Sequence, residues 1–113
     1  PMGVDVQVFS LQILHDVSET VFDRPIREHV SLFFYENPDI YQIIHLKAPE
    51  KLHAPNFRFQ LDYPEDLEFI RRIYYLMEPA YGDEFYTEQI INLLAKHPHL
   101  LDINRYCEEK ALR

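Results

Sequence analysis

The spacing of apolar residues changes between two periods along the chain, and each period predicts a different kind of element. Residues 4–9 and 57–61 alternate between apolar and polar side chains, as half-buried strands do. Residues 41–47 are apolar on both sides, which favours a buried or edge strand. Helical spacing of apolar residues predicts five helices, over residues 11–21, 25–37, 64–77, 87–96 and 104–112.

Local signals indicate where these helices begin. Ser10 and Thr87 are suitable N-caps, because a hydroxyl can accept a hydrogen bond from an unpaired N–H of the first turn. Pro64 suits a first helical position, since its missing N–H would have no partner there. Glu65 and Asp66 then place negative charge at the positive end of the helix dipole.

Strands interleaved with helices predict an α/β fold, in which residues 4–9, 41–47 and 57–61 form one partial sheet with helices packed on it. The length of 113 residues suits one compact domain, so we expect residues 1–113 to form a single domain. Only two glycines, Gly3 and Gly82, occur in the chain. It therefore lacks the Gly-rich loop with which many nucleotide-binding domains hold phosphates.

Asp62 lies at the carboxyl end of the predicted strand 57–61, directly before the helix that begins at Pro64. Ligands of open α/β sheets bind at this end of the strands. Two interpretations of Asp62 follow. Its carboxylate contacts a ligand, or it caps the helix by accepting the N–H groups of the first turn.

A second group of candidates, Arg27, Glu28 and His29, lies near the start of the helix predicted for residues 25–37. These residues are either solvated charges or a cluster that contacts a substrate. Arginine can hold a carboxylate through two parallel hydrogen bonds, and histidine can donate or accept a proton near neutral pH.

Composition excludes some classes of partner. The chain has 19 acidic residues against 11 Lys and Arg, a net charge of -8, whereas a nucleic-acid binder normally has a basic face. No apolar run approaches the roughly 20 residues of a membrane span. Cys107 is the only cysteine and so cannot form a disulfide within the chain. We therefore expect a cytoplasmic protein that binds neither nucleic acid nor membrane.

Four segments, in order along the chain, carry a resemblance to a known family. They are GVDVQVFS at residues 3–10, REHVS at 27–31, LDYPEDLE at 61–68 and KHP at 96–98. Together they resemble the C-terminal part of the cytidylyltransferase family, in the branch of spore coat polysaccharide biosynthesis proteins. Related enzymes are the CMP-KDO and acylneuraminate cytidylyltransferases, which activate acidic sugars as CMP conjugates.

The resemblance implies a Rossmann-like, nucleotide-diphospho-sugar transferase fold and a transferase that uses CTP and an acidic sugar. It implies that Asp62 helps to bind Mg²⁺ at the reacting phosphates, and that Asp5, Arg27 and His29 line the sugar side of the site. The chain departs from the family pattern at Gln7, where we expect Glu, and at Tyr63, where Thr usually precedes the proline.

Family members also begin with a Gly- and Arg-rich phosphate loop and a second metal-binding aspartate, which these residues lack. We therefore expect the chain to be the C-terminal portion of such a domain, without its N-terminal nucleotide-binding half and inactive alone. The alternatives are a non-catalytic interaction or dimerisation module derived from that fold, and one subunit of a two-chain enzyme. An uncovered sheet edge would invite pairing with another chain, so we expect a homodimer.

Overall fold

The computed structural model describes residues 1–111, which fall into two compact units. The first unit contains residues 1–5 and 48–109, and the second contains residues 6–47 with residues 110 and 111. Helices account for 52% of the structure. None of the helices in residues 1–111 combines the length and the apolar character that crossing a bilayer requires.

The second unit contains three helices, α1 (Leu11–Thr20), α2 (Arg24–Glu28) and α3 (Val30–Glu36). Ser10 caps α1 as predicted, because its Oγ accepts a hydrogen bond from the Ile13 N–H at 3.2 Å. One residue from each helix is buried, and these three side chains form the core of the unit: Val17, Ile26 and Phe34.

The single helix predicted between Pro25 and Asn37 is wrong, since the structure has two. His29 separates α2 from α3 with φ -122° and ψ 73°, outside the helical region. His29 and the two residues that follow it, Val30 and Ser31, all have modest helix propensity, so the break occurs where local preference for the helix is weak.

The first unit is built on α4 (Pro64–Tyr81) and α5 (Thr87–Lys96), with short 3₁₀ helices at Glu50–Leu52 and Pro98–Asp102. Its core contains a row of α4 side chains spaced by four residues and two residues from the C-terminal part: Phe69, Ile73, Met77, Leu94 and Leu100. This spacing places the row on one face of α4, as the sequence pattern predicted.

The predicted bounds of the helices in the first unit need three corrections. α4 continues beyond Met77 to Tyr81, with Pro79 in its last turn, and ends at Gly82. α5 has Tyr86, not Thr87, as its N-cap residue, because the Gln89 side chain accepts the Tyr86 N–H at 2.7 Å. Residues 104–111 form no helix, and residue 112 lies outside the described residues.

The predicted strands 4–9, 41–47 and 57–61 do not form within residues 1–111. An isolated parallel bridge joins Met2 to Arg58. In it the Met2 N–H donates to the Phe57 carbonyl and the Phe59 N–H to the Met2 carbonyl, both at 2.8 Å. A strand is stable only when a neighbour pairs with its backbone groups, and residues 4–9 and 41–47 have no such neighbour in this part of the chain.

Gly3 allows residues 1–5 to lie against residues 57–60. Its φ is +94°, and a Cβ at this position would be 2.7 Å from the Gln60 backbone nitrogen. A larger residue is therefore excluded both by backbone conformation and by space.

Candidate functional site

The first unit contains a buried cluster of charged and polar side chains at the turn before α4. At its centre the Arg58 guanidinium, with 5% of the residue exposed, holds the Asp66 carboxylate in a two-point interaction. Arg58 Nε donates to Asp66 Oδ1 and Arg58 Nη2 to Asp66 Oδ2, each at 2.9 Å. This planar geometry is the strongest arrangement of an arginine and a carboxylate.

Asp66 is completely buried, and its two oxygens accept five hydrogen bonds. Besides Arg58, the donors are the backbone N–H groups of Asp62 and Tyr63, at 3.0 and 3.1 Å, and the Asn104 side-chain amide at 2.9 Å. Three nearby residues and the distant Asn104 thus satisfy one buried carboxylate, as burial of a charge requires.

The hydrogen bond from Arg58 holds the pKa of Asp66 well below its usual range, assisted by the two backbone N–H groups and by Asn104 and opposed by burial. The same hydrogen bond raises the pKa of Arg58. Both groups are therefore charged throughout the physiological pH range. The cluster is anchored at a further point, because Asn104 also donates to the Arg58 carbonyl at 3.2 Å.

Asp62 lies at the exposed margin of this cluster. Arg58 Nη2 donates to Asp62 Oδ2 at 3.1 Å, and 36% of the Asp62 side chain is exposed. Arg58 also donates to Gln60 Oε1 at 2.6 Å, so its guanidinium is oriented from three sides. Arg58, Asp62 and Asp66 together have a net charge of -1.

A carboxylate other than Asp62 also acts as a cap at the start of α4. Asp66, the third residue of α4, turns back to accept the N–H of the N-cap residue Tyr63. This is the acidic half of a capping box. Asp62 is therefore held by its backbone through Asp66 and by its side chain through Arg58.

The other predicted site residues lie elsewhere. Asp5 is exposed and belongs to the first unit, as Asp62 does. Arg27, on α2 of the second unit, donates from Nη1 to the Ser18 carbonyl at 2.9 Å and lines a cleft beside α1. His29 lies at the break between α2 and α3, with Nε2 3.9 Å from Glu28 Oε1. In residues 1–111 no group of three or more His, Cys, Asp or Glu side chains is arranged to hold a metal ion.

Sequence reasoning missed Arg58 and Asn104, and it assigned Asp66 only to the helix dipole. The alternation of residues 57–60 placed Arg58 on a polar face, yet it is as buried as the phenylalanine core. The position of Asp66, third in a helix that begins at Pro64, could have indicated its capping role. No local signal points to Asn104, which is 46 residues from Arg58.

Cys107 follows this cluster in the chain. Partial burial and the nearby carboxylate of Asp66 raise the pKa of the Cys107 thiol. The thiol therefore stays protonated at neutral pH, unlike a reactive thiolate.

Comparison with known proteins finds distant relatives. No protein-family model matches the chain, and no solved structure matches it. The spore coat polysaccharide biosynthesis protein SpsF of Bacillus subtilis is 29% identical over 99 residues, which are 87% of this chain and 40% of that protein. An uncharacterised protein of Methanocaldococcus jannaschii is 28% identical over 114 residues, covering 99% of this chain and 45% of the relative.

The chain thus spans less than half the length of either relative. The identity to the spore coat protein supports the family that the sequence motifs resemble, and goes no further.

Proposed function

We propose that the chain is part of a CTP-dependent nucleotidyltransferase that activates an acidic sugar as a CMP-sugar for surface polysaccharide biosynthesis. The observation that carries this proposal is the Asp62 carboxylate, which a buried arginine orients at a partly exposed turn before α4. The likeness to the spore coat polysaccharide biosynthesis protein supplies the biological context. Only part of that relative is matched, and we propose that the rest of such a longer protein supplies the nucleotide site.

Asp62 suits a magnesium site that substrates complete. Mg²⁺ is bound by one or two protein carboxylates together with phosphate oxygens and water, so a single oriented carboxylate matches its needs. When bound, the metal would draw together the CTP phosphates and offset the charge that develops as pyrophosphate leaves. Arg58 keeps the Asp62 carboxylate in one orientation, and Asp66 fixes the backbone that carries it.

Arg27 and His29 are proposed to bind the acidic sugar. Arg27 Nη1 donates to the Ser18 carbonyl, which fixes the guanidinium at the edge of a cleft, and the residue is exposed. The His29 side chain is 39% exposed, so it can hydrogen-bond a hydroxyl or carboxylate. Asp5, which is exposed and belongs to the first unit, is proposed separately as a residue that contacts the sugar.

The Rossmann-like sheet is proposed for the longer protein. Residues 6–9 and 41–46 keep a period of two without strand partners. Gln7 contacts Tyr35 and Phe9 contacts Phe34, whereas Val6 and Val8 are 86% and 93% exposed.

Residues 41–46 show the same alternation as residues 6–9. Tyr41 and His45 contact the same α3 residues, and Ile44 and Leu46 are 76% and 92% exposed. Both segments are extended and expose apolar side chains. Strands of a parallel sheet have this pattern, because neighbouring strands and helices bury their apolar side chains in the complete fold.

The test uses a protein that spans the full length of the relatives and measures pyrophosphate release. We expect release to depend on CTP, Mg²⁺ and an acidic sugar. Asp62→Asn should lower the rate by about 100-fold, because an amide is a weaker ligand for a hard cation. Asp102→Asn, an exposed residue of the same unit, is the matched control and should leave the rate unchanged.

Full activity of the Asp62→Asn protein would contradict the role of Asp62. Absence of pyrophosphate release from the unmodified protein with any acidic sugar tested would contradict the proposed reaction as a whole.

A further inference from the structure

Asn104 joins the buried cluster from the C-terminal part of the first unit, and only 4% of the residue is exposed. Its side-chain nitrogen donates two hydrogen bonds, to Asp66 Oδ1 at 2.9 Å and to the Arg58 carbonyl at 3.2 Å. An amide nitrogen carries two N–H groups. This side chain therefore uses its whole donor capacity on the two members of the buried ion pair.

The segment that carries Asn104 is held in place by contacts other than these two hydrogen bonds. Leu100 is buried in the core of the first unit, and Ile103 packs against that core. The Asn104 carbonyl accepts the Cys107 N–H at 3.1 Å. Burying a polar side chain carries a desolvation cost, and apolar contacts already anchor the segment without it. The contacts of the Asn104 amide therefore indicate a role within the cluster.

Two routes of hydrogen bonds lead from Asn104 to Asp62, each through one residue. Along the first, Asn104 holds the Asp66 carboxylate, and Asp66 Oδ2 accepts the Asp62 N–H at 3.0 Å. Along the second, Asn104 holds the Arg58 backbone, and Arg58 Nη2 donates to Asp62 Oδ2 at 3.1 Å. The backbone and the side chain of Asp62 are thus both restrained by groups that Asn104 contacts.

The Arg58 backbone is fixed from both of its edges. On one edge, the backbone groups of Phe57 and Phe59 pair with Met2 in the isolated bridge. The Arg58 carbonyl points to the other edge, because backbone groups of successive residues alternate in direction along an extended segment, and there it accepts the Asn104 amide. Asn104 therefore limits movement of the backbone from which the guanidinium extends.

We propose that Asn104 is a positioning residue for the Asp62 carboxylate, acting through Arg58 and Asp66. Its place in catalysis rests on the proposed function, in which Asp62 binds Mg²⁺. Residues that hold a metal ligand in its orientation typically contribute about 10- to 100-fold to metal affinity. Asn104 lies one residue further from the metal than Arg58 does, so we expect an effect at the lower end of this range.

The first experiment measures amide hydrogen exchange in the chain of 113 residues and needs no activity. Asn104→Ala should speed exchange of the Asp62 and Tyr63 N–H groups by about tenfold. Both groups donate to the Asp66 carboxylate, which loses one of its restraints in this variant.

Ile73→Val is the matched control, because it removes one methyl group from the apolar core of the same unit. It should speed exchange in the middle of α4 and change exchange of the Asp62 and Tyr63 amides by less than about twofold. Equal acceleration of these two amides in Asn104→Ala and Ile73→Val would overturn the proposal, since it would show a general loss of stability.

The second experiment uses a protein that spans the full length of the relatives and measures pyrophosphate release as a function of Mg²⁺ concentration. Asn104→Ala should raise the Mg²⁺ concentration that gives the half-maximal rate by about tenfold, and should leave the rate at saturating Mg²⁺ within about threefold. Ile73→Val should leave both values unchanged. Asn104→Ser, a milder change that keeps one hydroxyl donor, should act in the same direction as Asn104→Ala and more weakly in both experiments.

An unchanged Mg²⁺ dependence in Asn104→Ala would overturn the proposal, and so would Asp62 and Tyr63 amides that exchange at their original rates. Absence of pyrophosphate release from the unmodified protein would contradict the proposed reaction alone. The exchange experiment would then still decide whether Asn104 positions Asp62.

Discussion

At the scale of single residues, Arg58 and Asp66 decide how the first unit holds together. Two charges buried at 5% and 0% exposure pay a large desolvation penalty, which is offset only because every polar atom finds a partner. When one of the two residues is replaced, the desolvation penalty of the other is no longer offset, because that charge is left buried and unpaired. Exposed pairs such as Arg105 and Asp102 have no such dependence.

Replacing Asp66 by Asn should therefore lower the free energy of unfolding by about 3 kcal/mol or more. The change removes a charge that pairs with Arg58 and turns one of the acceptor oxygens into a donor. Chemical denaturation followed by circular dichroism measures the loss. Asp102→Asn, in a pair with a side chain 66% exposed, should change the same quantity by less than about 1 kcal/mol. Equal losses in the free energy of unfolding would show that the buried Arg58–Asp66 pair contributes no more to stability than an exposed pair.

The depressed pKa of Asp66 also predicts how stability depends on pH. An aspartate whose pKa is lower in the folded than in the unfolded chain stabilises the fold above its ordinary pKa of 3.8. This stabilisation is lost as the pH falls below that value towards the lowered pKa, because the unfolded chain binds the proton more readily. Denaturant midpoints measured from neutral pH down to about pH 3 should fall steeply at the acidic end. The fall should be shallower in Asp66→Asn.

At the scale of elements, the helices follow signals that lie within a few residues of one another. The Ser10 cap, the Pro64 start and the four-residue spacing of Phe69, Ile73 and Met77 are all local. The strands depend on partners that local sequence cannot supply, so residues 4–9 show the period of a strand without its hydrogen bonds. Helix α1 is the element whose beginning can be tested most directly.

Ser10→Ala should lower the free energy of unfolding of the second unit by about 1 kcal/mol, because the Ile13 N–H loses its acceptor. Hydrogen exchange of the amides in the first turn of α1 measures this loss locally. Ser18→Ala is the control, since its hydroxyl donates to the His15 carbonyl within the helix and caps nothing. Its change should stay within about 0.5 kcal/mol. Protection of the first turn that survives Ser10→Ala would contradict the capping role.

At the scale of the whole molecule, the second unit presents a set of strongly exposed apolar side chains. Four apolar side chains are each more than three-quarters exposed: Val6, Val8, Ile44 and Leu46. Large exposed apolar patches on a protein mark surfaces that bind another segment or molecule. The relatives are more than twice as long as this chain, so residues that cover this surface are available in proteins of that length.

Val8→Lys therefore has two expected outcomes that depend on chain length. In the chain of 113 residues it should leave the melting temperature unchanged, because Val8 is 93% exposed. In a protein that spans the full length of the relatives it should lower the free energy of unfolding by about 2 kcal/mol or more, since a buried lysine is left unpaired. Thermal melts of the two pairs of proteins measure the difference. A full-length protein insensitive to Val8→Lys would show that this surface stays open.

Much of the candidate site could not be predicted from the sequence, because it depends on contacts that form only when the chain folds. Asp62 was found because a carboxylate between a strand pattern and a helix start is a local feature. Its orientation by Arg58, and the closure of the cluster by Asn104, depend on contacts across 4 and 46 residues that pattern alone does not encode. The roles of Asp5, Arg27 and His29 stay predictions, as does the domain assignment.

The sequence by itself determined α1, α4 and α5 and the position of Asp62 at the start of α4. Caps, prolines and apolar spacing act within one or two turns of a helix. The residues of a single helix therefore suffice to predict where it forms. Only the tertiary structure decided that Arg58 is buried, that the Asp66 carboxylate accepts the N–H of the N-cap residue Tyr63, and that the predicted strands have no sheet within residues 1–111. Burial of a charge and pairing of a strand both require partners that are distant in the sequence, and folding alone brings them together.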